Sequence, residues 1–176
     1  MHITSVDPEG FPQIDTYITK QGSRREWKLS TEDSFVQSIV KQLAIHKPLR
    51  FASLMQALPT DGPSQTMHKD SNDSDRTNAI VYLTDVDADN GPIEFLSGPV
   101  VGPRGTTVVY QANEMHRGLA NHGDKDRLAL TMAFSDNDST ITTIGEVPPP
   151  DESWKWKLAL AIAAAVLIYY FFFYKK

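Results

Sequence analysis

From position 51 to position 134 the chain is a succession of short apolar or β-branched runs, each closed by a turn sequence. The runs cover 51–58, 66–70, 77–84, 92–96, 106–111 and 127–134. Between them stand Asp61-Gly62-Pro63, Asn90-Gly91-Pro92, Ser97-Gly98-Pro99 and Gly102-Pro103-Arg104-Gly105, where Gly supplies permissive backbone and Pro cannot continue a ladder. Many short strands with this punctuation predict a mainly β fold, an antiparallel barrel or jelly roll. One supporting helix is expected over 30–47. Ser30 or Thr31 would cap it, Glu32 and Asp33 would favour its first turn, and Phe35, Ile39 and Leu43 would form its apolar stripe until Pro48 stops it.

Charge and cysteine content exclude several functions. The 176 residues include 22 acidic and 17 basic side chains, for a net charge of -5. Four lysines (155, 157, 175 and 176) flank a C-terminal apolar run. Without them 13 basic residues face 22 acidic ones, a balance of -9. Nucleic-acid binding through phosphates needs clustered Lys and Arg, so no nucleic-acid partner is expected. With no cysteine there can be no disulfide, thiolate zinc site, Cys nucleophile or iron–sulfur cluster. The first 30 residues are polar with scattered charges, so no secretory signal is expected.

The C-terminal run, 158–174, holds 17 residues without a charge or a proline. That is near the lower limit for a membrane-spanning helix, and no polar stripe marks it as one side of a core. Trp154, Trp156, Tyr169, Tyr170 and Tyr174 sit near its ends, and the flanking lysines can snorkel. We read 154–176 as a transmembrane anchor, 146–153 with its three prolines as a stiff linker, and 1–145 as the folded domain. A lone apolar segment at the C-terminus favours tail-anchored insertion into a bilayer, with the domain in the cytosol.

His68-Lys69-Asp70 carries the chemistry. Read as a strand, its alternation puts His68 and Asp70 on one face. His116 and Arg127 follow, the latter opening an apolar strand. Two imidazoles and a carboxylate can occupy one face of a metal and leave the opposite positions open, the arrangement of non-heme Fe(II) oxygenases. Taken singly each residue has a plainer reading: His68 in a turn, Asp70 in a solvated acidic loop, Arg127 as an exposed strand end, Tyr82 as core. His122 rivals His116 but sits in the polar stretch Asn121-His122-Gly123-Asp124.

The surrounding text is more specific. Arg76 to Asp85, then Asn90-Gly91-Pro92-Ile93-Glu94-Phe95, Ser97-Gly98, and His116-Arg117-Gly118-Leu119-Ala120-Asn121 leading to Arg127, resemble the 2-oxoglutarate/Fe(II)-dependent oxygenase superfamily. They are most similar to its phytanoyl-CoA hydroxylase-like branch, with the prolyl 4-hydroxylase-like branch second. The resemblance implies a double-stranded β-helix with a core over about 51–134. It implies His68, Asp70 and His116 as iron ligands, Arg127 as partner of the distal carboxylate of 2-oxoglutarate, and Tyr82 as a second donor to it. Strand alternation groups Arg127 with Ala129, Thr131 and Ala133, so Thr131 joins the co-substrate candidates, and small neighbours leave room for a ligand. The implied reaction is a hydroxylation that consumes O2 and 2-oxoglutarate and releases succinate and CO2, with ascorbate as an accessory the family admits. The substrate is left open among a protein side chain, a lipid and a small metabolite. The competing class is an inactive β-helix that binds or scaffolds at a membrane.

Two departures bear on the substrate. The chain is short for the phytanoyl-CoA hydroxylase-like branch, and Ser97-Gly98-Pro99 lacks the His that often follows such a turn there.

Overall fold

A computed structural model describes residues 1–14 and 16–137. The linker and the apolar run therefore lie outside the described residues, as does the boundary expected near 145. Among the described residues no helix is long and apolar enough to cross a membrane.

The architecture is mainly β. The described residues form ten strands: β1 (His2–Ser5), β2 (Thr16–Gln21), β3 (Arg24–Lys28), β4 (Leu49–Ala57), β5 (Thr77–Tyr82), β6 (Ile93–Phe95), β7 (Gly98–Val100), β8 (Thr106–Gln111), β9 (His116–Gly118) and β10 (Arg127–Phe134). Seven form a sheet in the order β1-β8-β5-β10-β4-β3-β2, and three form a small sheet in the order β7-β6-β9. Every pairing is antiparallel. Two such sheets meeting over a shared core are consistent with a jelly roll, as the turn punctuation predicts.

Alternation divides the large sheet cleanly. On its outer face Ala52, Leu54, Ala79, Val81, Leu130, Met132 and Phe134 pack with Phe35, Val36, Ile39 and Leu43 of the helical segment. On its inner face Tyr82, Val108, Tyr110 and Ala129 meet Ile93, Phe95 and Val100 of the small sheet. Gly91 makes the turn into β6 possible. Its φ is 82°, and a Cβ there would stand 2.9 Å from the Leu119 carbonyl oxygen.

Strands β8 and β10 begin and end where the sequence places them, and β4, β5 and β6 differ by one or two residues at their ends. Three expectations need correction. The helix is α1 (Ser34–Val40), seven residues rather than the span 30–47. Asp33 is its cap, accepting from Val36 N at 3.0 Å, because a carboxylate at that position takes an orphan amide that Ser30 is too far upstream to reach. Beyond Val40 the chain tightens into three-residue turns, with Gln42 N donating to Ile39 O and Leu43 N to Val40 O. The 66–70 run is not a strand: it touches the small sheet through a single bridge, His68 to His116. The first 30 residues, to which the sequence pattern assigns no element, hold three strands. The β2–β3 hairpin turns on Gly22-Ser23, with Gly22 at φ 60° as a two-residue loop requires.

Candidate metal and co-substrate site

His68, Asp70 and His116 come together at the edge of the small sheet, their ligand atoms all within 4.8 Å of one another. The bridge between His68 and His116 sets this geometry, since each backbone amide donates to the other's carbonyl at 2.9 Å. The ring centroids lie 4.7 Å apart with the ring planes tilted by 53°. His116 is buried, with 5% of its surface exposed, whereas His68 and Asp70 are half-buried at the cavity mouth.

Each imidazole is oriented through its far nitrogen. Nδ1 of His68 lies 2.8 Å from Thr66 O and Nδ1 of His116 lies 2.9 Å from Glu114 O. A carbonyl can only accept, so both Nδ1 atoms carry the proton, and in the neutral rings each Nε2 presents its lone pair to a metal. The carboxylate is held just as firmly. Oδ2 of Asp70 accepts from Asn78 Nδ2 at 2.6 Å and from the Tyr110 hydroxyl at 3.0 Å. Arg76 Nε in turn donates to Asn78 Oδ1 at 3.1 Å, which fixes the amide with its NH2 toward Asp70. Oδ1, which faces His68 Nε2 at 3.8 Å, is left as the oxygen open to a metal.

Burial works to raise the Asp70 carboxyl, but His116, Tyr110 and Arg76 outweigh it and hold it below the usual range. His116 moves the other way. Burial would lower it, and the Asp70 carboxylate raises it above the ordinary imidazole value. Burial and Asp70 push Tyr110 well up, so it remains a protonated donor.

The triad lines a cavity of about 160 Å³, together with Arg127 and Thr131 of β10 and residues of β3, β4 and β5. Arg127 is buried at 3% exposure, and its Nε has no hydrogen-bond partner. The Thr131 hydroxyl is also buried and unpartnered. So is the hydroxyl of Ser53, directly opposite Thr131 in the β4–β10 register. Buried polar atoms are nearly always satisfied, so three such orphans on adjoining strands fit a bound acceptor. Burial lowers the Arg127 guanidinium, with the Tyr82 ring opposing it.

Tyr82 is not brought into this group. It is fully buried in the core between the sheets and is not part of the cavity lining. Its hydroxyl donates to Val100 O at 2.7 Å and accepts from Ile93 N at 3.2 Å, leaving no proton for a carboxylate. His122 lies apart from the triad, its Nδ1 on Thr60 O at 2.9 Å. The residues that sequence reading missed are Asn78, Tyr110, Ser53, Arg24 and Glu26. Asn78, Tyr110, Arg24 and Glu26 line the cavity, Ser53 stands opposite Thr131 in the strand register, and only the charged run Arg24-Arg25-Glu26-Trp27-Lys28 after a Gly-Ser turn hints at any of them.

The donor set is one that Fe(II) takes, and the orphans fit a carboxylate: a guanidinium and two hydroxyls. Comparison with solved structures agrees on the fold. SnoK, a non-heme alpha-ketoglutarate-dependent carbocyclase from nogalamycin biosynthesis, superimposes with a TM-score of 0.55 at 16% identity, over 71% of this chain and 68% of that one. HygX from Streptomyces hygroscopicus, solved with nickel, 2-oxoglutarate and hygromycin B bound, gives 0.55 at 13% identity over 85% and 80%. EvdMO1 gives 0.50 at 15% identity, and the chain spans 34% of that protein's length. No family model and no curated protein matches the chain. The fold is thus one used by non-heme 2-oxoglutarate-dependent enzymes.

Proposed function

We propose that this chain is an Fe(II)/2-oxoglutarate-dependent dioxygenase acting as a hydroxylase, held at a membrane by residues 154–176 with its catalytic domain, 1–145, in the cytosol. The observation that carries the reading is the pairing of an oriented His68–Asp70–His116 cluster with unpartnered buried donors on Arg127 and Thr131 in the same cavity.

His68, Asp70 and His116 would hold Fe(II), each presenting one atom and leaving the remaining positions open. Arg127 and Thr131, with Ser53 across from it, would take the far carboxylate of 2-oxoglutarate. Bound together, the iron and 2-oxoglutarate supply the oxidising power, with O2 consumed and succinate and CO2 released. The protein's own part is positional. Thr66 O and Glu114 O keep the two Nδ1 protons in place, Asn78 and Tyr110 fix the Asp70 plane, and the Ala129 and Ala133 side chains beside Thr131 leave space for a ligand. The membrane segment favours a lipid or a membrane-protein side chain as substrate over a free metabolite.

The test is uncoupled turnover. Full-length protein in detergent, given Fe(II), ascorbate and 2-oxoglutarate in air, should form succinate, detected by NMR, and His116→Ala should form none. Equal succinate from wild type and His116→Ala would remove the enzyme reading in favour of an inactive β-helix module.

A further inference from the structure

We propose that Arg24 is a second co-substrate-binding cation, closing with Arg127 on the far carboxylate of 2-oxoglutarate. This rests on the reading of the cavity as a 2-oxoglutarate site.

Arg24 comes from the N-terminal hairpin, more than 100 residues from Arg127 in sequence, yet the sheet brings them level. Ala57 of β4 pairs with Arg127 on one side and with Arg24 on the other. With neighbouring strands about 4.8 Å apart, the two Cα atoms stand roughly 10 Å from each other, so two long side chains can meet on one small anion. Ala57 between them carries only a methyl group, which leaves the space above it clear. Both arginines line the same cavity.

The opposite wall pins Arg24. A Cβ on Gly118 would fall within 2.3 Å of Arg24 Nη2, so only a glycine lets the guanidinium lie against β9. Nη2 donates to Leu119 O at 3.2 Å, and among the described residues Nε and Nη1 have no hydrogen-bond partner. Among the described residues no carboxylate is in ion-pair contact with either guanidinium. Glu26 is the nearest candidate by strand position, two residues along β3 on the same face, and burial raises its carboxyl toward the neutral form. A buried and a half-buried cation lining one cavity repel each other. Burial, with Arg127 adding to it, pulls Arg24 down to about 10. A bound carboxylate would remove that repulsion and accept from the open donors at once, which a single arginine with two hydroxyls would do less completely.

Glutarate is the direct probe, because it carries the far carboxylate but lacks the oxo group that needs a metal. Titration calorimetry of metal-free, full-length protein in detergent should show glutarate binding weakened about tenfold or more by Arg24→Gln and less by Arg24→Lys. With Ni(II) loaded, 2-oxoglutarate should weaken in parallel, while oxalate, which has no distal carboxylate, should bind within about twofold of wild type. Wild-type glutarate affinity in Arg24→Gln, alongside loss in Arg127→Gln, would overturn the role of Arg24 and leave the 2-oxoglutarate reading standing. Loss of oxalate binding as well would mark a general structural effect and also overturn it. If wild type binds neither glutarate nor 2-oxoglutarate, both readings fail together. Should Arg24→Gln not fold, Arg24→Lys decides: weaker dicarboxylate binding is expected, and unchanged binding contradicts the clamp.

Discussion

Asn78 Nδ2 donates to Oδ2 of Asp70 at 2.6 Å, from a strand that neither His68 nor His116 belongs to. The large sheet thereby fixes a carboxylate carried by a loop. Arg76, two residues before Asn78, completes the support, so a short piece of β5 and the turn before it determine which Asp70 oxygen is open.

Asn78→Ala should therefore lower Fe(II) or Ni(II) affinity about 10- to 100-fold while the fold persists. Asn78 is buried at 1% exposure, so a stability loss of about 1–2 kcal/mol is expected as well. Competition titration with a chelator, beside a thermal melt, separates the two effects. An unchanged metal affinity would show that Asp70 does not need this support.

Thr131 offers the opposite signature. Its hydroxyl is buried without a partner, so the ligand-free protein gains nothing from it. Thr131→Val should leave the ligand-free protein equally stable, or more stable by about 1 kcal/mol, and should weaken 2-oxoglutarate binding several-fold, roughly one hydrogen bond to a charged group. A melt and a calorimetric titration check both halves. A clear drop in stability would place the hydroxyl in the structure rather than in binding.

Glu26 makes stability depend on pH with a definite sign. Its carboxyl is raised above 4.5 by burial, with Asp70 adding to the shift. The Ser53 side chain opposes this. A raised acid binds its proton more tightly folded than unfolded. Stability from this residue is therefore fully present below the unfolded value of about 4.5 and declines as pH rises through the folded value. Glu26→Gln should melt higher than wild type at pH 7–8, with the gap closing at about pH 4. Melts across that range check it, and a gap that widens on acidification would reverse the sign.

What the sequence reveals follows how local the cause is. Strands β8 and β10 are legible because alternation and flanking turns define them from within. His68, Asp70, His116 and Arg127 stand out because their spacing and neighbours resemble a known pattern. The reason they converge is less legible: 66–70 is no strand, and His68 is set by a bridge to His116 that only the folded sheet supplies. Ser53 and Arg24 are invisible for the same reason, since their relation to Arg127 and Thr131 lies in the register of β3, β4 and β10. The helix is shorter than its apolar stripe predicts because the stripe continues into Leu43, which packs on the core from a turn rather than from a helix.

The tail makes a separate prediction. Removing 154–176 should move the protein from the alkali-resistant membrane fraction to the soluble fraction with its melting behaviour unchanged. A full chain extracted by alkali would contradict the anchor.

The most direct test of the central claim is an anaerobic titration of the full chain in detergent with Fe(II) and then 2-oxoglutarate, followed by visible absorption. The account predicts a metal-to-ligand charge-transfer band that is absent in His68→Ala and needs far more 2-oxoglutarate in Arg127→Ala. Well-folded protein that develops no band would contradict it.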